Sequence, residues 1–134
     1  MLNVLIVEDN RERIEFFREL YDNHIVFVAK DSDAAIELLQ VQPFDIIQLD
    51  FMLEGSSTSA PVAQYIRDNN LTSIVIIHST HGGGVSRLQR MLPEAYRISF
   101  SRIHGDVILQ RQIKALLSDK KFSDFRALRE LLEM

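Results

Sequence analysis

Five short apolar runs alternate along the chain with segments of helical periodicity, and this alternation constrains the fold more than any other feature. The runs are Leu2–Val7 (LNVLIV), His24–Val28, Phe44–Leu49, Ser73–Ile77 and, with weaker alternation, Tyr96–Phe100. Each has strand length, and the nearly unbroken, β-branched character of the first suits a strand buried on both faces. Between them, Ile14, Phe17, Leu20 and Tyr21 recur at helical spacing. So do Ala34, Ala35, Leu38 and Leu39 behind a capping Asp31, and Val85, Leu88, Met91 and Leu92 behind Gly82–Gly84. Ser59 or Thr58 can cap a further helix with Pro61 in its first turn, and Val107–Leu117 reads as another helix. Strand and helix repeated five times predict an α/β fold: a doubly wound, five-stranded parallel sheet with helices on both faces.

Ligands in such sheets bind at the carboxyl ends of the strands near a topological switch point. The first strand ends in Glu8-Asp9 and the third in Asp50, which a parallel sheet puts on one rim. Carboxylates crowded in one crevice repel one another unless a cation joins them, and an oxygen set of this kind suits Mg²⁺. The metal would also hold an incoming phosphoryl group, toward which a carboxylate can act as nucleophile. An acid after one buried strand can merely cap the next helix. A pair and a single acid after the first and third strands of a five-fold pattern favour a site.

VLIVEDN followed by a helix resembles the opening of response-regulator receiver domains, with Glu8 and Asp9 matching the acid pair. FDIIQLDFMLEG resembles their third strand and loop. The resemblance implies a flavodoxin-like receiver fold, Asp50 as phospho-acceptor, and the Met52 carbonyl as a further metal ligand beside Glu8, Asp9 and Asp50. SIVIIHST resembles the fourth strand, with Ser79 the best match to the Ser or Thr that contacts the phosphoryl group and His78 a competing register. It extends over about residues 1 to 117. What it implies is a stand-alone signalling domain in a two-component phosphorelay, taking phosphate at Asp50 with Mg²⁺ and partnered by a histidine kinase or phosphotransfer protein.

The fifth strand departs from that pattern. Receivers carry a lysine there, usually before a proline; AYRISFSRI has neither, and Ser99 or Ser101 falls near the lysine position with Arg97 and Arg102 as neighbours. IIHSTHGGG after an LD-containing third strand is similar to the His-Ser signature of the cyclic-phosphate-processing receiver-like family. That resemblance implies an enzyme acting on nucleic-acid ends, with His78 and His81 beside Asp50 and Ser79. A third reading is a degenerate receiver that only binds a protein. Imidazoles at the rim can serve as acid or base near neutral pH, while His78 can equally point into the helix layer and His81 can be a solvated loop residue. The glycine run matches no phosphate-loop motif and reads first as a turn.

Composition narrows the rest. With 134 residues the chain is about one domain, read as residues 1–119 with a helical extension over 120–134. There is no cysteine, which excludes disulfides, thiolate metal sites and thiol catalysis. A net charge of −4 argues against a large non-specific nucleic-acid surface. No apolar run approaches a membrane span, and the start lacks the basic n-region of a signal peptide, so a cytoplasmic location is expected. Phe122, Phe125, Leu128, Leu131 and Leu132 form an apolar stripe that fits either packing onto the same domain or a contact with a partner or a second copy.

Overall fold

The computed structural model describes residues 1–53, 57–79, 82–118 and 125–133. Its elements are β1 (Asn3–Val7), α1 (Arg11–Leu20), β2 (Ile25–Ala29), α2 (Ser32–Val41), β3 (Ile46–Leu49), α3 (Ala60–Asp68), β4 (Ile74–Ile77), α4 (Gly82–Met91), β5 (Tyr96–Arg97), α5 (Phe100–Gly105), α6 (Val107–Leu117) and α7 (Phe125–Glu133). The strands form one parallel sheet in the order β2-β1-β3-β4-β5. The order reverses between β1 and β3, so the crevice that a doubly wound sheet offers to a ligand opens between their carboxyl ends.

Side-chain alternation sorts the core into two layers. Leu5, Val7, Ile47, Leu49, Val75 and Ile77 face α2, α3 and α4, whereas Val4, Ile6, Ile46 and Ile76 face α1, α5, α6 and α7. The helices start where local chemistry allows. Asn10 accepts from the Arg13 N–H at the head of α1, Asp31 from Ala34 N–H at α2, and Asp106 from Leu109 N–H at α6. Ser59 precedes α3 without a side-chain cap bond, and the Thr58 hydroxyl accepts from Ala60 N–H instead. At the head of α4, a Cβ on Gly84 would run into the Phe51 ring, so this glycine permits close packing of helix on loop.

One element differs from the expectation. The fifth strand is two residues long, because the Ser99 hydroxyl accepts from Arg102 N–H and turns the chain into the short helix α5. Of the two placements open to the C-terminal stripe, its described leucines take the inward one. Leu128 and Leu132 are buried against the α1 and α6 layer, Arg102 donates to the Leu132 carbonyl at 2.7 Å, and Arg129 lies over the Tyr96 ring. Phe122 and the Phe125 side chain fall outside the described residues.

Candidate functional site

The parallel ladder continues one residue beyond β1, β3 and β4, and this holds the rim residues in place. Glu8 N–H donates to Ala29 O, Asp50 N–H to Val7 O, and His78 N–H to Leu49 O, all within 3.1 Å. Glu8, Asp50, His78 and Ser79 are all buried, Glu8 and His78 completely. Buried carboxylates persist only when their lone pairs are occupied. Glu8 meets this condition fully: Oε2 accepts from the N–H groups of Asp9 and Asn10 at 2.9 and 3.1 Å. Its Oε1 lies 2.9 Å from His78 Nε2 and 3.8 Å from the Arg13 guanidinium. The second Arg13 contact is Asp50 Oδ2, at 3.9 Å.

These surroundings shift the acids in a shared direction. Burial raises Glu8 above the ordinary carboxylate value, against the pull of its backbone donors and Arg13. Burial, and then the charge of Glu8, raise Asp50, while among the opposing influences is a hydrogen bond from the Ser79 hydroxyl. Burial lowers His78 to about 4, so the imidazole is neutral at pH 7. Its ring packs on Phe17, 4.6 Å between centroids, within the layer under α1.

Of the expected site residues, the fold gathers Glu8, Asp50, His78 and Ser79. Asp9 is half-buried beside them, and Met52 is 40% exposed in the loop after β3, bridged to Thr58. His81 lies outside the described residues. One ligand atom from each of Glu8, Asp50 and His78 falls within 4.8 Å of the others, so the cluster could hold a metal ion. Crowded acids whose affinity for protons is raised fit a hard divalent cation, which relieves the same repulsion as a proton. Glu8, with both oxygens accepting, has less left to offer such a cation than Asp50.

Sequence reasoning missed four members of this neighbourhood. Arg13 reaches the two acids from α1 and rests on the Phe100 ring, 4.8 Å from its centroid. Phe100 in turn packs edge-on against Phe16. Gln48, fully buried in β3, lies 3.0 Å from His78 Nδ1 and accepts from the Tyr21 hydroxyl at 2.7 Å. Gln48 carried a signal: it is the polar residue in the otherwise apolar strand IIQL. Arg13 carried none, standing on a helix that also has Arg11 and Arg18. Among the described residues, none of the β5 candidates reaches these acids in place of the missing lysine. Ser99 is occupied as a cap, Arg97 is exposed, and Arg102 donates to α7; all three line a cleft of about 600 Å³ beside Ser79.

A family model described as the cyclic-phosphate processing receiver domain matches residues 3–94. Among solved structures, the chain is similar to the signal receiver domain of a signal transduction histidine kinase from Syntrophus aciditrophicus. The TM-score is 0.69 at 20% identity, covering 92% of this chain and 96% of that one. It is similar to the receiver domain of a Francisella response regulator, with a TM-score of 0.65 at 18% identity over 86% of this chain and 98% of the other. The response regulator TrrA from Thermotoga maritima, in complex with Mg²⁺-BeF, gives a TM-score of 0.65 at 19% identity, covering 86% and 98%. These likenesses speak for the fold. No helix among the described residues is long and apolar enough to cross a membrane.

Proposed function

The chain is a receiver domain of the response-regulator type and belongs to the cyclic-phosphate processing receiver family, and on that premise we propose that it binds a cyclic phosphate ester over Asp50 and opens it by hydrolysis. The observation that carries this reading is Arg13. Its contacts with Glu8 and Asp50, 3.8 and 3.9 Å, are too long to be full hydrogen bonds, so its donors are held in the crevice but not used up. A planar guanidinium in that state suits a phosphate oxygen pair.

Hydrolysis needs a base for the attacking water and an acid for the leaving oxygen. Asp50, raised by burial and by Glu8, is a better base than an ordinary carboxylate. It takes a proton from water as the new P–O bond forms. It returns that proton to the ring oxygen as the old P–O bond breaks, leaving a phosphomonoester and a free hydroxyl. The Ser79 hydroxyl orients the carboxylate. Asp9, Asp50 and the Met52 carbonyl would hold Mg²⁺, which supplies positive charge to the phosphate oxygens. His78, fully buried with both ring nitrogens engaged, acts through Glu8 and does not meet the substrate.

The hydrogen bond between Ser79 and Asp50 also favours a second reading, an acyl phosphate on Asp50 delivered by a histidine kinase or phosphotransfer protein. One experiment separates the two. The protein is incubated with Mg²⁺ and either a nucleoside 2′,3′-cyclic phosphate, followed by phosphorus NMR, or acetyl phosphate, followed by intact mass. Ring opening that is lost in Asp50→Asn supports the hydrolytic reading. A phosphate adduct on Asp50 with the cyclic ester untouched sinks it in favour of the relay.

A further inference from the structure

The face of the sheet under α1 carries a chain of polar side chains in an otherwise apolar layer. Gln48 sits in a row between Ile6 and Ile76, and His78 lies two residues further along β4. The Gln48 amide has three neighbours: Tyr21 Oη at 2.7 Å from Oε1, and the Ile76 carbonyl at 3.3 Å and His78 Nδ1 at 3.0 Å from Nε2. A peptide carbonyl only accepts, so the amide nitrogen must face Ile76. The phenol then donates to Oε1. Burial pushes its own ionisation well above the ordinary tyrosine range, so that proton stays in place. The remaining amide N–H points at Nδ1. A neutral imidazole carries one proton, and with Nδ1 accepting, that proton is on Nε2, 2.9 Å from Glu8 Oε1. One group that cannot reverse, the Ile76 carbonyl, thus fixes the direction of every bond from Tyr21 to Glu8.

The consequence concerns metal choice. One imidazole and two carboxylates within 4.8 Å make a ligand set that transition metals favour, provided the imidazole nitrogen has a free lone pair. Here that nitrogen holds a proton. We infer that Gln48 is a positioning residue that sets the metal preference of the acid crevice, by making His78 a hydrogen-bond donor to Glu8 and so withholding it as a nitrogen ligand. What remains is an all-oxygen set, which selects hard cations such as Mg²⁺ over Zn²⁺. The inference rests on the reading that the crevice holds a cation, and not on which phosphate chemistry follows.

Gln48→Glu would reverse the chain. Its carboxylate accepts from Nδ1–H, the usual partner of a metal-bound histidine, and frees Nε2. Gln48→Met removes the donor without burying a charge, and decides the matter if the first variant does not fold. Two measurements apply: nitrogen-15 spectra of the His78 ring in metal-free protein, and calorimetry with Mg²⁺ and Zn²⁺ separately. The expected result is a proton on Nε2 and none on Nδ1 in the wild type, a proton on Nδ1 in Gln48→Glu, so that Nε2 can give up its own to a metal, and a mixture in Gln48→Met. The Zn²⁺ preference over Mg²⁺ should rise by about tenfold or more in the variants, the scale on which such orienting partners act. Tyr21→Phe should leave the ring proton on Nε2, because the Ile76 carbonyl still anchors the amide. A wild-type proton on Nδ1, or an unchanged Zn²⁺ to Mg²⁺ ratio in the variants that fold, overturns the inference. Failure to open a cyclic ester, with ring proton and metal preference behaving as stated, counts against the proposed reaction and supports the role of Gln48.

Discussion

The Arg13 guanidinium lies 3.9 Å from Asp50 Oδ2 while its flat face rests on Phe100, so among the described residues the cation beside this acid comes from α1 and not from β5. The origin matters because a residue on a helix is fixed by the packing of that helix, here through Phe17 and Leu20 in the core, rather than by a strand end.

Arg13→Ala is expected to weaken binding of a phosphate mimic such as beryllofluoride by about tenfold, the scale of one charge-assisted hydrogen bond. Glu8 and Asp50 then face each other without a counter-charge, and both rise further above their ordinary values. A carboxylate raised in the folded state binds its proton more tightly there than in the unfolded chain, so acidification should restore part of the stability lost at pH 7. Urea midpoints at pH 7 and pH 5 check this. A difference between variant and wild type that is the same at both pH values would show that Arg13 is not the counter-ion. Arg13→Lys should fall between, keeping the charge and losing the stack on Phe100.

His78 should stay neutral far below the pH at which histidines usually charge. Burial lowers it from 6.5 to about 4, so the unfolded chain takes up this proton first as pH falls. Stability contributed by the neutral ring is complete above pH 6.5 and is lost as pH falls toward 4, by about 3 kcal/mol from this group alone. Glu8 and Asp50, raised in the folded state, act in the opposite direction and flatten the observed curve. The direct check is therefore the ring itself: its proton and nitrogen shifts should not titrate between pH 7 and 5. A midpoint near 6.5 would mean that the crevice is open to water.

Much of this was legible in the sequence, for a definite reason. Buried parallel strands are continuous apolar runs, and their acids emerge at a shared rim, so Glu8 and Asp50 could be brought together with no knowledge of distances. The Asp31 cap and the α6 span follow from side-chain chemistry within a few residues. Partnership across elements was not legible. Arg13, Phe100 and Tyr21 reach the site only through the placement of α1 and α5 on the sheet. The segment FSRIHG is too short for a helical period to show, which hid α5 and shortened the fifth strand to Tyr96–Arg97. Gln48 was readable as a buried polar anomaly, but its partner His78 is set by strand register, since β3 and β4 pair Gln48 with Ile76.

Gly84→Ala tests how the glycine run is used. The added methyl would meet the Phe51 ring, next to the phospho-acceptor candidate, and overpacking of this kind costs about 1–3 kcal/mol. Gly82→Ala, where a Cβ meets nothing within 4 Å, should cost little. Thermal unfolding of both variants makes the comparison. Equal costs would mean that the run serves as a flexible turn and not as a packing surface. Restoration of Gly84→Ala by Phe51→Leu, which gives the methyl room, would assign the cost to that contact.

The last helix tests where the domain ends. Leu128 and Leu132 are 0% and 1% exposed and join the core layer that contains Ile103, Leu109, Ile113 and Leu117. A leucine so placed loses both transfer energy and filled volume when truncated, and Leu128→Ala should cost about 2–5 kcal/mol. Leu131, half-buried on the same helix, should cost less. Arg102 adds a polar tie, its guanidinium donating to the Leu132 carbonyl near the end of α7, where carbonyls lack helical partners. Removing α7 should therefore expose this layer and lower the melting temperature, as well as untether Arg102 beside Ser79. If α7 instead served only to join two copies, Leu128→Ala would shift the monomer–dimer balance in sedimentation and leave the unfolding of the monomer unchanged. A lower melting temperature that does not depend on protein concentration is the expected result, since Leu128 and Leu132 are buried within one chain.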